Sequence, residues 1–199
     1  MEEKIIAKAS QLFLKLGFKS VTMDDIANEM CISKKTIYKY FCNKELLIVV
    51  TTDTITKTIY AKINEIVAKN YNAIEENFEI IKMIKEMFVS IETSPSYQLK
   101  KHYPEIHGKL TEKLLLEYMT LFKQNIEKGI SEGLYRNTIN VNNYAYFYYT
   151  LMFNINENIS SEKEAQKLEL EALEYHIRAM ATSNGITELN TYIQSTQVL

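Results

Sequence analysis

Apolar side chains recur every three or four residues along most of this chain, and this spacing is the feature that most restricts its fold. A period near 3.6 residues gathers such side chains on one face of an α-helix, whereas a half-buried strand needs a period of two. Only five glycines and two prolines occur among the 199 residues, and these are the residues that most often end helices. The sequence therefore predicts an all-α fold.

The first predicted helix runs from about Glu2 to Leu16, with its apolar side chains on one face. It is followed by Gly17, which suits a left-handed helix cap, and by Phe18, which suits the hydrophobic contact that accompanies such a cap. We interpret this segment as the packing helix of a small N-terminal domain.

Residues 22–47, TMDDIANEMCISKKTIYKYFCNKELL, favour two short helices joined by a tight turn. Thr22 is a candidate N-cap for the first helix, which carries two acidic residues in its first turn. Ser33 is a candidate N-cap for the second helix, which runs from Lys34 to about Phe41. Lysines and tyrosines crowd the outer face of this second helix. This arrangement is typical of a helix-turn-helix, whose second helix reads DNA.

The charge distribution also favours a local DNA-binding surface. The whole chain has a formal net charge of −2, so DNA binding would have to come from a local patch. Residues 1–50 carry a net charge of +2, from eight lysines and six acidic residues. The lysines on and just after the second short helix are Lys34, Lys35, Lys39 and Lys44.

A long helix from Lys44 to about Lys69 follows, and its apolar stripe changes face midway. This change predicts that one half packs on the N-terminal domain and the other half on a second domain. Further helices are expected at about 74–91, 106–126, 141–158 and 162–182. Residues after Ser183 are expected to form a frayed polar tail.

The order of these motifs resembles that of the TetR family of one-component bacterial regulators. The resemblance rests on TMDDIANEM, then SKKTIYKYF, then NKELL at the start of the long fourth helix. It is close over roughly the first 50 residues, and beyond them it rests on helix number and the turn GISEGLYR at 129–136. The resemblance implies an N-terminal three-helix DNA-binding domain at 1–47, an all-helical effector-binding and dimerisation domain at 48–184, and a polar tail at 185–199.

The resemblance also implies which side chains contact DNA. Hydroxyls at helix N-termini suit phosphates, whereas long donors at the start of an inserted helix reach base edges in the major groove. The implied contacts are Thr22 and Ser33 to phosphates, Lys34, Lys35 and Thr36 to bases, Tyr38, Tyr40 and Lys44 to the DNA backbone, and Lys39 to either.

Cys31 departs from the family pattern, because it stands where the family usually carries a glycine in the turn between the two short helices. A non-glycine residue held there at positive φ would cost on the order of 1 kcal/mol. Cys42 occupies the next turn. Two cysteines so close in sequence do not make a disulfide framework, and we expect a reducing cytoplasm. They are small fillers or, alternatively, a thiol sensor.

The segment 142–158, NNYAYFYYTLMFNINEN, is apolar on nearly every side, so its helix must be buried on more than one side. In the TetR-like arrangement it pairs with the last long helix and forms a four-helix bundle with the same pair of a second subunit. The candidate residues for this dimer interface are Tyr144, Leu151, Leu168, Ala172, Tyr175 and Ala179.

A pocket for a small molecule is expected in the second domain, since aromatic walls with a few polar tips suit an amphipathic ligand. The candidate lining residues are Tyr97, Tyr103, Tyr118, Met119, Phe122, Tyr148, Met152 and Asn156. Ordinary core packing is the alternative interpretation of the same residues. No buried carboxylate stands out among these aromatic residues, which favours a neutral or apolar effector over a cationic one.

Several other functions find no support in the sequence. The histidines His102, His107 and His176 lack the spacing of a helical metal pair, and no phosphate loop or nucleophile elbow is visible. We therefore expect no metal, no cofactor and no enzymatic activity. No apolar run approaches the roughly 18 residues of a membrane span.

Together these features predict a homodimeric transcriptional repressor that binds a palindromic operator in double-stranded DNA. A small, mainly apolar molecule of unknown identity would release it. One alternative is an activator or a ligand-independent regulator of the same fold. Another is a helical protein–protein interaction module whose basic helix docks on an acidic partner.

Overall fold

The computed structural model of this chain describes residues 1–196, and within that range it contains ten α-helices and no strand. The all-α prediction is confirmed. Across the same range, no helix combines the length and apolar character that crossing a membrane requires. The helices are α1 (Glu2–Leu16), α2 (Met23–Glu29), α3 (Lys34–Tyr38), α4 (Lys44–Val67), α5 (Ala73–Met87), α6 (Pro95–His102), α7 (Pro104–Ser131), α8 (Val141–Asn158), α9 (Glu162–Met180) and α10 (Ser183–Thr196).

The first three helices and the start of α4 enclose a core of their own. Ile5 and Phe13 of α1, Ile26 of α2, Ile37 of α3 and Leu47 of α4 are all fully buried in one cluster. Side chains of α6 and α7 also pack against this cluster. The small domain is therefore not isolated, because the helices after α4 complete its core.

The caps explain where the short helices begin. The Thr22 hydroxyl accepts a hydrogen bond from the Asp25 backbone N–H, and the Asp25 carboxylate accepts one from the Thr22 N–H. Ser33 and Asn43 cap α3 and α4 through their side-chain oxygens. Such caps each stabilise a helix by about 1 kcal/mol, which matters most for helices as short as α2 and α3.

The second core is formed by α5, α7, α8, α9 and α10. Ile74, Ile126, Leu173 and Ile177 are almost completely buried in it. The turn after α7 brings the Tyr135 ring onto α7 so closely that a Cβ on Gly129 would overlap the ring. Because only glycine leaves room for this ring, the turn predicted at 129–136 is positioned by close packing as well as by backbone conformation.

The last helix corrects one prediction, since α10 occupies most of the stretch that we expected to be a frayed polar tail at 185–199. Leu189 is fully buried in the second core. The ring of Tyr192 stacks on that of Phe78 in α5, with their centroids 4.7 Å apart. The surrounding polar residues hide this apolar stripe in the sequence. The remaining predicted tail residues, 197–199, lie outside the described residues.

We expect Gly129→Ala to destabilise the protein by about 1–3 kcal/mol, because the new methyl group must displace the Tyr135 ring. Gly108→Ala is the matched control in the same helix. A Cβ at Gly108 meets no atom within 4 Å, so the substitution should stabilise α7 by up to about 1 kcal/mol. Urea denaturation of both variants checks this, and equal midpoints would contradict the close approach of Tyr135.

Candidate functional site

The turn between α2 and α3 is tight because Cys31 adopts a left-handed backbone conformation, with φ of 54°. The Cys31 N–H donates to the Asn28 carbonyl at 3.0 Å, and the Ile32 N–H donates to the Ala27 carbonyl at 3.0 Å. The expected positive φ at Cys31 is thus present. Since Cys31 has a Cβ and glycine does not, this turn holds local backbone strain.

Four of the predicted DNA-contacting side chains lie on the surface of the second short helix and of the turn that follows it. Lys35, Tyr38, Lys39 and Tyr40 are all exposed. Within residues 1–196, neither Lys35 nor Lys39 forms an ion pair. The helix itself ends at Tyr38 rather than near Phe41, so Lys39 and Tyr40 lie in a turn. A short helix followed by a turn spreads these four side chains over one outer surface.

The remaining predicted contacts already have partners inside the domain. Lys34 forms an ion pair with Asp24 at 2.8 Å, and this hydrogen-bonded pair raises the pKa of Lys34. The Lys44 ammonium donates to the Lys19 carbonyl at 3.0 Å and lies over the Tyr103 ring. The side chains already engaged in N-caps are Thr22, Ser33 and Thr36. The Lys34 ammonium also lies 5.9 Å from the centroid of the Tyr38 ring. The nine residues therefore lie in one domain, and Lys35, Lys39 and Tyr40 are the three that have no such partner within residues 1–196.

A cavity of about 360 Å³ lies beneath this domain, in the helical bundle. Its walls come from α4 to α9 and also from the N-terminal domain, through Leu14 and Phe18. Most of the wall is apolar, and isoleucines of α4 and α5 such as Ile59 and Ile84 form one side. A volume of this size lies in the range of small-molecule sites.

The cavity contains five of the eight residues that the sequence suggested. These five are Tyr118, Phe122, Tyr148, Met152 and Asn156. The other three do not line this cavity. Tyr103 packs against the N-terminal core, Met119 against the second core, and Tyr97 lies beside Lys101, whose ammonium is 5.4 Å from the ring centroid. The rotational position of α6 and α7 decides which aromatic side chains face inward, and a single apolar stripe does not fix it.

Sequence reasoning missed three buried glutamates in the cavity wall, namely Glu76, Glu162 and Glu169. Our expectation that no carboxylate is buried among the aromatic residues is therefore wrong. Glu162 and Glu169 are seven residues apart, a spacing that places both on one face of α9. Buried Leu173 follows on that face, so the missed signal was an apolar helix face interrupted by two acids.

The environments of these glutamates differ. Glu76 pairs with Lys128 at 2.6 Å and also accepts a hydrogen bond from Asn125 at 2.8 Å. Glu169 accepts a hydrogen bond from the Asn156 amide at 2.5 Å, and no cationic side chain pairs with it in the described part of the chain. Burial raises the pKa of Glu169 to about 7, and Glu162 adds to this effect through repulsion.

The predicted dimer-interface residues lie partly on an exposed apolar surface of α8 and α9. Leu151 and Tyr175 are exposed, and Tyr175 retains 68% of its accessible area. The four half-buried candidates are Tyr144, Leu168, Ala172 and Ala179. Tyr146 and Phe147, each 56% exposed, extend the same apolar surface and were not among the candidates.

No three His, Cys, Asp or Glu side chains group in a way that suits a metal ion, as far as residues 1–196 are concerned. Of the three histidines, His107 lies 3.2 Å from Glu157 and His176 stacks on Tyr148 with ring centroids 4.4 Å apart. Burial lowers the pKa of His176 to about 4, so this histidine is neutral at physiological pH.

A capped helix-turn-helix that presents lysines and tyrosines, fixed to a larger helical domain, is the arrangement found in helix-turn-helix transcriptional regulators. Residues 5–50 match the family model described as bacterial regulatory proteins of the tetR family. The N-terminal domain therefore resembles the DNA-binding domain of that family, and the two relatives described next are named as transcriptional regulators.

Two relatives from Bacillus subtilis resemble the chain beyond this domain. The uncharacterised regulator YdeS is 29% identical over 145 residues, which are 69% of this chain and 68% of YdeS. The uncharacterised regulator YvaF is 28% identical over 91 residues, 46% of this chain. That match spans only 44% of YvaF, which is less than half its length.

Solved structures share the fold at low sequence identity. A transcriptional regulator from Cytophaga hutchinsonii superimposes with a TM-score of 0.74 at 18% identity, over 90% of this chain and 98% of that one. At such identity the likeness establishes the arrangement of helices and leaves the ligand open.

We expect Cys31→Gly to stabilise the protein by up to about 1 kcal/mol, because glycine adopts a φ of 54° without the steric cost of a Cβ. Cys42→Gly is the control, since Cys42 is also exposed but has no positive φ. It should lower stability slightly through the added freedom of the unfolded chain. The denaturant midpoints of the two variants measure the difference, and a lower midpoint for Cys31→Gly would contradict strain in the turn.

We expect Glu169→Gln to stabilise the protein more at pH 8 than at pH 5. The raised pKa of Glu169 means that the stability present below its ordinary pKa of 4.5 is lost as the pH rises through about 7. The corresponding free energy is up to about 3 kcal/mol, and glutamine removes this dependence. Melting temperatures at both pH values test it. Glu171→Gln, an exposed acid on the same helix, should show no such difference.

Proposed function

We propose that the chain is a cytoplasmic, homodimeric transcriptional repressor that binds a palindromic operator and is released by a small molecule in its cavity. In this proposal residues 1–47 bind DNA. Residues from 48 onward, including α10, bind the effector and the partner subunit. The four exposed side chains of Lys35, Tyr38, Lys39 and Tyr40 support the first part, since lysines and tyrosines suit phosphates and base edges.

The observation that carries the proposal is the double role of Phe18. Its side chain is 1% exposed in the N-terminal core, where it stacks on Phe13 at 5.5 Å, and it also forms part of the cavity wall. A ligand that fills the cavity therefore contacts a residue on which the DNA-binding domain is packed. We infer that occupancy of the cavity changes the position of that domain.

Helix α6 and Tyr103, the residue that follows it, connect the cavity wall to the backbone of Phe18. The Gln98 side-chain oxygen accepts a hydrogen bond from the Phe18 N–H at 2.9 Å, and the Tyr103 hydroxyl donates to the Phe18 carbonyl at 3.3 Å. Pro95 and Ser96, at the start of the same helix, line the cavity. A ligand that moves α6 thus acts on both sides of the Phe18 peptide.

A second copy of the chain is the proposed cover for the apolar surface of α8 and α9. Large side chains such as Phe147 and Tyr175 lie exposed there, and contiguous apolar surface of this kind marks an interface. A two-fold pair of chains would present two α3 helices to successive major grooves, which are about 34 Å apart. The ligand needs only a different affinity for the DNA-binding and the released arrangements.

Two alternatives remain distinct from this proposal. An activator or ligand-independent regulator would bind DNA with the same surface and differ in its effect on a promoter. A protein-interaction module would use the basic surface on an acidic partner and would bind duplex DNA weakly and without sequence preference. DNA selection followed by a promoter fusion separates all three.

We expect the purified protein to retain a few palindromic sites from sheared genomic DNA of its source organism at moderate salt. Binding to a selected site should weaken by about 10- to 100-fold in Lys35→Ala, because a good base contact contributes about 1–3 kcal/mol. Lys39→Ala should reduce the salt slope by about one if Lys39 contacts phosphate. Fluorescence anisotropy over a series of salt concentrations measures both effects.

Lys82→Ala is the control, since Lys82 is an exposed lysine of α5, remote in sequence from α3. It should leave affinity and salt slope unchanged. In a promoter fusion carrying the selected site, wild type should lower expression and Lys35→Ala should restore it. Failure to enrich any site would contradict the hypothesis of a site-specific regulator. Raised expression with wild type would identify an activator.

A further inference from the structure

The cavity wall holds a buried carboxylate that no cation of the chain neutralises. Glu169 is 8% exposed, and its hydrogen-bond partner is the neutral amide of Asn156. Glu76 in the same cavity is an internal comparison, because Lys128 pairs with it at 2.6 Å. Buried charges in proteins are generally paired. Glu169 therefore stands out as a carboxylate whose charge the protein itself does not balance.

Glu162 adds a second acid to the same face of α9. It is 6% exposed, lines the cavity, and accepts a hydrogen bond from the neutral Gln166 amide at 2.9 Å. Seven residues of helix place it about 10 Å from Glu169 along the axis. Two acids without cationic partners thus face one enclosed space, where their mutual repulsion is poorly screened.

The groups around Glu169 are aromatic rings rather than cations. Tyr118, Phe122 and Tyr148 form a connected cluster in the cavity wall, with ring centroids 6.2 Å and 4.8 Å apart. The faces of aromatic rings attract cations, most strongly where water is excluded. Behind Tyr148, His176 is neutral because burial lowers its pKa to about 4, so it does not compensate the acid.

We propose that the cavity selects a ligand that carries a positive charge on a largely apolar body, with Glu169 as its counter-ion and the Tyr118, Phe122 and Tyr148 rings around it. This inference rests on the proposed function, since it names the class of molecule that the effector cavity takes. It replaces our sequence-based expectation of a neutral effector, because that expectation depended on the absence of a buried carboxylate.

A matched pair of probes tests the charge alone. Trimethyl[2-(4-hydroxyphenyl)ethyl]ammonium and the neutral phenol 4-(3,3-dimethylbutyl)phenol have nearly the same shape, differ in the charge of one atom, and are small enough for a cavity of about 360 Å³. Isothermal titration calorimetry with the full-length protein at pH 8 gives the affinity for each. We expect the cation to bind at least about tenfold more tightly than the neutral phenol.

Glu169→Gln should reduce this preference to less than about threefold while leaving the affinity for the neutral phenol nearly unchanged. Glu171→Gln is the control, since this acid is exposed on α9 and faces Lys167 at 3.8 Å. It should keep the full preference. The wild-type ratio does not depend on any variant folding, and melting curves establish that the glutamine variants are folded.

Equal or tighter binding of the neutral phenol to wild type, or binding of neither probe, would overturn the proposal. So would a preference for the cation that survives in folded Glu169→Gln. Operator binding is measured in parallel on the same preparations, so that the two proposals fail separately. A cation preference in a protein that binds no operator would contradict the proposed repressor and support the ligand class.

Discussion

The position of the DNA-binding domain depends on how Phe18 is held. Its ring fills the N-terminal core, while Gln98 and Tyr103 bind its N–H and its carbonyl. The preceding Gly17 has a φ of 92°, and a Cβ there would lie 2.7 Å from the Gln98 side-chain oxygen. The backbone conformation therefore favours glycine, which also leaves room for the Gln98 oxygen that binds the Phe18 N–H. The chain reversal after α1 is shaped by the second domain as much as by the first.

The cavity and the core use buried polar groups differently. In the wall shared by α5 and α7, Glu76, Asn125 and Lys128 satisfy one another through bonds of 2.6–2.8 Å. On α9, Glu169 has a single neutral donor. The first arrangement stabilises the packing of two helices, whereas the second contains a buried carboxylate that no cationic side chain of residues 1–196 neutralises. A site that is costly when empty gains more from the correct occupant, which is how binding energy is converted into a shift between conformations.

The sequence was sufficient to predict the helices of the N-terminal domain, because the interactions that define them are local. Caps such as Thr22 and Ser33 act within three residues, and the positive φ of Cys31 follows from the tightness of one turn. The cavity depends instead on how α6 and α7 are rotated within the bundle, which is set by long-range packing. For that reason the sequence did not show that Tyr103 lies outside the cavity wall. The buried glutamates of α9 were not predicted because acidic residues on a helix usually face solvent. Helix α10 was not predicted because polar residues outnumber its few buried side chains.

The ion pair between Asp24 and Lys34 limits how readily the charge of Lys34, on α3, can attract DNA. Any duplex attracts free lysines through its phosphates, regardless of sequence. A lysine already neutralised by its own domain contributes little to such indiscriminate attraction, since an anion must first be exchanged. In the proposed complex with DNA, it would contribute fully only where a base edge is positioned to replace Asp24. The chain has a net charge of −2, and one lysine of α3 is already ion-paired. Such a chain would bind non-specific DNA more weakly and would spend more time free in solution.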